Sequence, residues 1–329
     1  MPDLSVPPVA RYDGPIVDAH VHIKPPERMR QFLRMAEAYG VGTYMGIADL
    51  DTVAACRAAL PGRVVGIARP TFEDIADTAG CRRRVLTLLG RAVDEQDVRG
   101  VKFWFKPQFN ASSGLYWDDA RLDFVFDFMV EHRLVALIHI ADPDIWFHRV
   151  YSDTARFGTK ADAYGQLERR MRRHPGLLVQ AAHLGGDPEH LDHLEALLAD
   201  HANLHFDLSA TKWVARELSA KPEQAREFVI RHADRLLWGS DLVVARQADM
   251  TFDDYATRYY VHRHLWEGTG RLLSPIEDAD AGRPVMVAGL ELPLDVLGSI
   301  YARNAERLYR IRAAPCPGSG RGAPRPSEG

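Results

Sequence analysis

Disulfide scaffolding and thiolate metal sites are excluded first, because cysteine is nearly missing. Cys56, Cys81 and Cys316 are scattered, with no C-x-x-C spacing among them. No apolar run reaches membrane-spanning length, so no membrane association is expected. Neither sign of charge is in excess: 41 Lys and Arg face 45 Asp and Glu, a net charge of -4. Such a balance provides no field for gathering nucleic acid. The dense cationic runs at Arg82–Arg84 and Arg169–Arg173 fall in helix-like segments and read as solvated faces. Met1–Gly14 holds prolines and charges without an apolar core, so no secretory signal and a cytoplasmic location are expected. No glycine-rich fingerprint follows the first strand, which weakens a dinucleotide-binding reading, and no internal repeat is evident.

What is there is a globular composition, 46% hydrophobic and 26% charged, over 329 residues. That length suits one barrel of roughly 250 residues with insertions. Short β-type runs recur at Ile16–Ile23, Gly42–Ala48, Val64–Arg69, Val98–Phe103, Val135–Ile140, Leu177–Ala182, Leu204–Asp207 and Leu236–Gly239. Between them lie stretches whose apolar residues step by three and four, as in Leu122, Val125, Phe126 and Met129. Eight strands alternating with helices predict an α/β chain folded as a (β/α)8 TIM barrel. A single domain over 1–312 is expected. Residues 246–292 form a long insertion after the eighth strand, read as a lid, and 313–329 form a disordered tail rich in Pro, Gly, Ser and Arg.

The most informative strand is I-V-D-A-H-V-H-I. Its alternation puts Asp18, His20 and His22 on one face and Val17, Ala19, Val21 and Ile23 on the other. Two imidazoles at one strand end are suited to zinc and its neighbours. His139 ends V-A-L-I-H on the parity of Val135 and Leu137, and His183 follows L-L-V-Q-A-A. Asp241 follows L-L-W-G-S, and Lys102 lies near the end of the fourth strand. Side chains at the tops of barrel strands point at one volume, so His20, His22, His139, His183 and Asp241 together predict a metal centre. His262 and His264 sit on a helix, where residues two apart diverge, and are given no chemistry. His190 and His193 are treated alike, because Asp187-Pro188-Glu189 reads as the cap and first turn of a helix containing them.

With these residues in view, the chain resembles the amidohydrolase superfamily, specifically its amidohydrolase-2 (ACMSD-like) branch. D-A-H-V-H, G-V-K, His139, A-H-L-G-G, F-D-L-S-A, G-S-D and N-A-E-R-L-Y carry the resemblance, from Asp18 to about Tyr309. It implies that His20, His22, His139 and Asp241 are metal ligands. It implies that His183 is an acid/base near the ion or a ligand to a second ion. Lys102 stands where binuclear relatives carry a carboxylated lysine. One divalent ion is expected, zinc first, with manganese or iron as alternatives. Branch members often dimerise, but no segment marks an interface.

The implied reaction is hydrolysis of an amide, lactone or ester bond in a small molecule by a metal-activated water, with Asp241 and His183 catalytic. The alternative is non-oxidative decarboxylation of an aromatic or unsaturated carboxylic acid. Cations on the mouth loops suggest a carboxylated substrate. The expected contacts are Lys102, Trp104, Lys106, Arg156, Lys160, Lys212, Trp213, Arg216 and Arg246.

Overall fold

Apolar, β-branched-rich runs become parallel strands in a computed structural model of the chain, which describes residues 2–315. The strands are β1 (Ile16–His22), β2 (Val41–Ala48), β3 (Val64–Ala68), β4 (Gly100–Trp104), β5 (Val135–His139), β6 (Leu178–Ala181), β7 (Leu204–Asp207), β8 (Leu236–Leu237) and β9 (Leu242–Val243). The sheet runs β8-β7-β6-β5-β4-β3-β2-β1-β9, so β8 and β9 stand at its two ends. Only residues 238–241 separate them along the chain. Ala19 N donates to Trp238 O at 3.0 Å and Asp241 N to His20 O at 2.7 Å, which joins β1 to both halves of this broken eighth strand. The cylinder is thereby closed, and the fold is a (β/α)8 barrel. Gly239 makes the break possible: a Cβ there would stand 3.0 Å from the Cβ of His20.

Inside the cylinder, Val17, Ala19, Met45, Ile47, Ile67, Val135, Leu137 and Leu237 form one apolar cluster. Val21 and Ile23 belong instead to the layer between strands and helices. The even alternation expected for β1 is therefore corrected. Its register against β2 shifts between Asp18 and Val21, a β-bulge that leaves Ala19 and His20 both directed inward. Asp18 consequently points away from the two histidines. It accepts from Ser240 Oγ at 2.6 Å and from Tyr259 OH at 2.7 Å.

Within residues 246–292, the helix Phe252–Glu267 packs between helices Arg30–Ala38 and Thr211–Ala220 and completes the outer ring. Its Tyr255, Tyr259, Tyr260 and Trp266 are buried. A hairpin of β10 (Arg271–Leu273) and β11 (Met286–Ala288) follows, and its connection 274–285 stands at the mouth. Trp146 Nε1 donates to Asp280 Oδ2 at 3.0 Å, and Lys212 and Arg216 pair with Asp278.

Three further expectations change. The cationic run at 169–173 is not wholly a solvated face: Arg170 is fully buried and donates to Trp117 O, Asp119 O and Asp123. The helix after β6 starts at Leu191, not at Pro188. Asp187 pairs with His193 Nδ1 at 2.7 Å and Lys160 Nζ at 2.6 Å rather than capping it. Of the expected tail, Ala313 and Ala314 are anchored through Glu306 and Thr43. Residues 316–329 lie outside the described residues. Among the described residues no helix is long and apolar enough to cross a membrane.

Candidate metal centre and substrate cavity

Five polar side chains meet at the carboxyl end of the barrel, and their hydrogen bonds decide which atoms face inward. His20 Nδ1 lies 3.0 Å from Asp207 Oδ2. An ionised carboxylate can only accept, so Nδ1 carries the proton and Nε2 presents its lone pair. His139 Nε2 stands 3.0 Å from Asp142 Oδ1, which leaves Nδ1 as its lone-pair atom. Ser209 Oγ donates to Asp207 Oδ1 and so accepts from His183 Nδ1 at 2.7 Å. His183 Nε2 is then unprotonated as well.

The lone pairs of His20, His139 and His183 converge, with the Lys102 ammonium a donor 3.1 Å from His20 Nε2. His183 Nε2 faces His139 Nδ1 at 3.2 Å. His20 Nε2 and His22 Nε2 stand 3.2 and 3.4 Å from Asp241 Oδ1. Asp241 Oδ2 lies 3.8 Å from His183 Nε2. His183 Nε2 against His139 Nδ1 is acceptor facing acceptor, which is repulsive unless a cation lies between them. Neutral imidazoles with an ionised carboxylate form a donor set that fits a divalent transition metal. Asp207, Asp142 and Ser209 hold the rings from behind, as outer partners of metal ligands do. His20, His22 and Asp241 place three donor atoms within 4.8 Å of one another; His139 joins through His183.

Burial sets the charges. It pushes His183 down to about 3, so its imidazole is neutral at pH 7. Burial opposes the charge of Asp241, yet His20, His183 and His22 outweigh it and hold this carboxylate well below its usual range. Asp207 is held low in the same way, chiefly by His20. Burial lowers Lys102 to about 8, against the pull of Asp241 and Asp207, and its Nζ lies 3.1 Å from His20 Nε2. His183 and Asp241 both adopt left-handed backbone, with φ of 61° and 52°. Such strain in non-glycine residues gathers at functional sites. Gly186 lets the β6 loop approach β5, for a Cβ there would lie 2.2 Å from Ala141 O.

Above the donors opens a cavity of about 760 Å3, lined by His22, Lys102, His139 and Asp241 at its floor. Of the cationic and aromatic contacts expected for substrate, Lys102, Trp104, Lys106 and Arg246 line it. Lys106 Nζ sits 4.7 Å from the ring centroid of Trp104 and 5.5 Å from that of Trp146. Trp213 packs edge-on against His183, at 5.6 Å between ring centroids. Arg156, Lys160, Lys212 and Arg216 lie outside this cavity. Lys160 is taken up by Asp144 and Asp187, Lys212 by Asp278, and Arg216 by Glu217 and Asp278. Arg156 stacks on Phe157 beside a separate cleft.

Sequence reasoning missed Asp207, Gln180, Ser209, Asp142 and Arg69. Gln180 donates to Asp207 Oδ2 at 2.7 Å from inside the barrel. A lone glutamine within the apolar run L-V-Q-A was the available signal. Arg69 directly follows β3 and lines the cavity with Phe72 and Glu73. Like Lys106 after β4, it is a cation on a loop at the mouth.

No curated protein matches the chain. An uncharacterized TIM-barrel protein from Bordetella bronchiseptica superposes with a TM-score of 0.57 at 16% identity, covering 90% of this chain and 98% of that one. For a 4-oxalomesaconate hydratase from Rhodopseudomonas palustris the values are 0.54, 16%, 90% and 95%. For a 5-carboxyvanillate decarboxylase from Novosphingobium aromaticivorans, complexed with manganese and 4-hydroxy-3-methoxy-5-nitrobenzoic acid, they are 0.53, 15%, 94% and 99%. At these identities the likeness is one of fold. The family model described as Amidohydrolase matches residues 17–311. That span runs from β1 past the last helix and takes in every strand of the barrel, and the chain is an enzyme of the amidohydrolase family.

Proposed function

We propose that the chain is a metal-dependent hydrolase of a C–N or C–O bond in a small carboxylated molecule. The observation that carries this is the pair of facing lone pairs, His183 Nε2 against His139 Nδ1, beside the clustered donor atoms of His20, His22 and Asp241. His20, His22, His139 and Asp241 would hold the ion, zinc by preference for this nitrogen and oxygen set. The manganese in the 5-carboxyvanillate decarboxylase supports a divalent ion in this fold. When bound, the ion supplies Lewis acidity, withdrawing electron density from a carbonyl oxygen and making water more acidic.

The remaining chemistry belongs to side chains. Asp241 is ionised and partly open to the cavity, so it can take a proton from the water that attacks the carbonyl carbon. As the C–N or C–O bond breaks, the same proton passes from Asp241 to the departing atom. His183 is neutral, so it is not the group that protonates the departing atom; its Nδ1–H is held by Ser209 and its Nε2 faces His139. Lys106, Arg69 and Arg246 attract the substrate's carboxylate at the rim.

One feature favours a second reading, non-oxidative decarboxylation. Phe72, Phe105, Phe109, Trp104 and Trp146 line the cavity and suit a flat, unsaturated acid. Screening the metal-reconstituted protein against lactones, amides and aromatic acids by mass spectrometry separates the two. Products whose masses sum to the substrate plus one water support hydrolysis; loss of carbon dioxide without water uptake replaces it with the lyase.

A further inference from the structure

Below the donors, a polar pair stands among the apolar residues that fill the cylinder. Gln180 of β6 and Tyr309 of the last helix, Asn304–Tyr309, are fully buried, and Tyr309 OH donates to Gln180 Oε1 at 2.6 Å. That helix closes the amino end of the barrel. Asn304 Nδ2 donates to Ala233 O and Leu236 O, and Arg307 to Asp234 O, where the chain enters β8. Arg310 donates to His132 O and Arg133 O, on the approach to β5. From there the Tyr309 ring joins the inner cluster with Val17, Ile67 and Val135. Gly100 of β4 makes room for it, since a Cβ there would stand 3.2 Å from Cε1 of the ring.

The bonds fix which way the amide faces. Asp207 Oδ2 and Ala19 O can only accept, and Gln180 Nε2 donates to them at 2.7 and 3.3 Å. Oε1 is then left to accept, and the Tyr309 hydroxyl meets it. Burial and the charge of Asp207 keep this phenol protonated, so it donates. Asp207 Oδ2 also accepts from His20 Nδ1, so one oxygen receives both the amide and the imidazole. A chain of hydrogen bonds thus runs from the closed end of the barrel through Tyr309, Gln180 and Asp207 to His20.

A polar pair that served only the core would be replaceable by apolar side chains of the same volume at little cost. This pair ends on a buried carboxylate, where every donor counts because an ion there has no water to turn to. Without the phenol, Gln180 Oε1 is a buried acceptor with no donor, and the amide turns more freely. Turned over, it sets Oε1 against Asp207 and Ala19 O, acceptor against acceptor, and Asp207 loses a donor. We propose that Tyr309 is a positioning residue for the metal centre, holding Asp207 through Gln180 and, through Asp207, the Nδ1–H form of His20. This rests on the reading of His20 as a metal ligand.

Two measurements on the full chain test it without any turnover. One is zinc affinity by chelator competition; the other is the imidazole N–H proton signal of His20 in the metal-free chain, assigned by its loss in His20→Gln. Tyr309→Phe keeps the ring beside Gly100 and removes the donor. It should move the His20 signal and weaken zinc binding about three- to tenfold, less than the loss of a direct outer partner. Gln180→Met keeps the length of the side chain without its amide and should do at least as much. Adding Tyr309→Phe to Gln180→Met should then change neither reading further. Tyr301→Phe is the matched control: its buried hydroxyl donates to Glu267 Oε1 at 2.9 Å, in a network with Arg11, Tyr12 and Arg263 outside the cylinder. It should lower Tm and leave both zinc affinity and the His20 signal as they were. Zinc affinity or a His20 signal that ignores Tyr309→Phe overturns the proposal. So does an equal effect of Tyr301→Phe, which would mean general loosening, and so do additive losses in the double variant. If the parent chain binds no divalent ion, the metal reading falls and the His20 signal alone decides the relay. Tight zinc that is indifferent to Tyr309→Phe removes the relay and leaves the metal centre standing.

Discussion

His20 Nδ1 and Asp207 Oδ2, 187 residues apart in sequence, meet at 3.0 Å inside the barrel. Asp207 also accepts from Gln180 Nε2, His183 N and Ser209 Oγ, so one buried carboxylate orients two imidazoles at once. Asp207→Asn keeps the shape but can donate as well as accept, and it frees His20 to protonate at Nε2. Metal affinity measured by chelator competition should fall about 10- to 100-fold, the usual cost of losing an outer partner. Unchanged affinity would show that His20 does not need this tautomer.

Metal content is the second expectation. His20→Ala, His22→Ala, His139→Ala and Asp241→Ala, dialysed against trace chelator, should each lose ion relative to the parent chain when measured by plasma mass spectrometry. The largest losses are expected at His20, His22 and Asp241, whose donor atoms lie within 4.8 Å of one another. Stoichiometric tight metal in all four variants would remove the proposed centre.

Much of this architecture was legible because inward positions of parallel strands are apolar until the mouth. His139 continues the parity of Val135 and Leu137, and Lys102 that of Gly100, so each stood out as a polar residue ending an inward series. The bulge in β1 was not legible, since it depends on register with β2 and on the close pass of Gly239. Nor could sequence separate free cations from neutralised ones. Arg216 is paired with Asp278, 62 residues away, and only the folded connection 274–285 brings them together. Asp207 ended a strand in F-D-L-S-A, but its four-way bonding arises from β6, β1 and its own loop converging.

Acid should destabilise the fold through its buried histidines. Burial pushes His262 down to about 3 and His205 to about 4. The folded state therefore binds fewer protons than the unfolded chain between those values and about 6.5. Stability is full above pH 6.5 and falls as the pH drops toward the folded pKa, by up to about 1.4 kcal/mol per pH unit for His262. Both ring nitrogens of His262 are buried without a hydrogen-bond partner, beside Trp238 and Trp266. His262→Phe keeps the ring and removes those atoms, so it should raise Tm at pH 7 and raise it more at pH 5. A Tm difference between parent and variant that does not grow on acidification would contradict this.

The connection 274–285 offers the test of a lid. Asp280 ties it to Trp146 in the segment after β5, and Trp146 in turn lies against Lys106 in the cavity. Asp280 is partly exposed, so Asp280→Ala should cost no more than about 1 kcal/mol in denaturant unfolding. Freed from this tie, the connection leaves Trp146 and Lys106 less ordered, and KM should rise several-fold while metal occupancy stays as it was. Trp146→Phe removes the same N–H and keeps most of the ring, so it should reproduce the rise. If one hydrogen bond is responsible, the double variant is no worse than either single one. Additive losses would assign the two residues separate roles, and an unaltered KM in both would leave the connection as a structural cover.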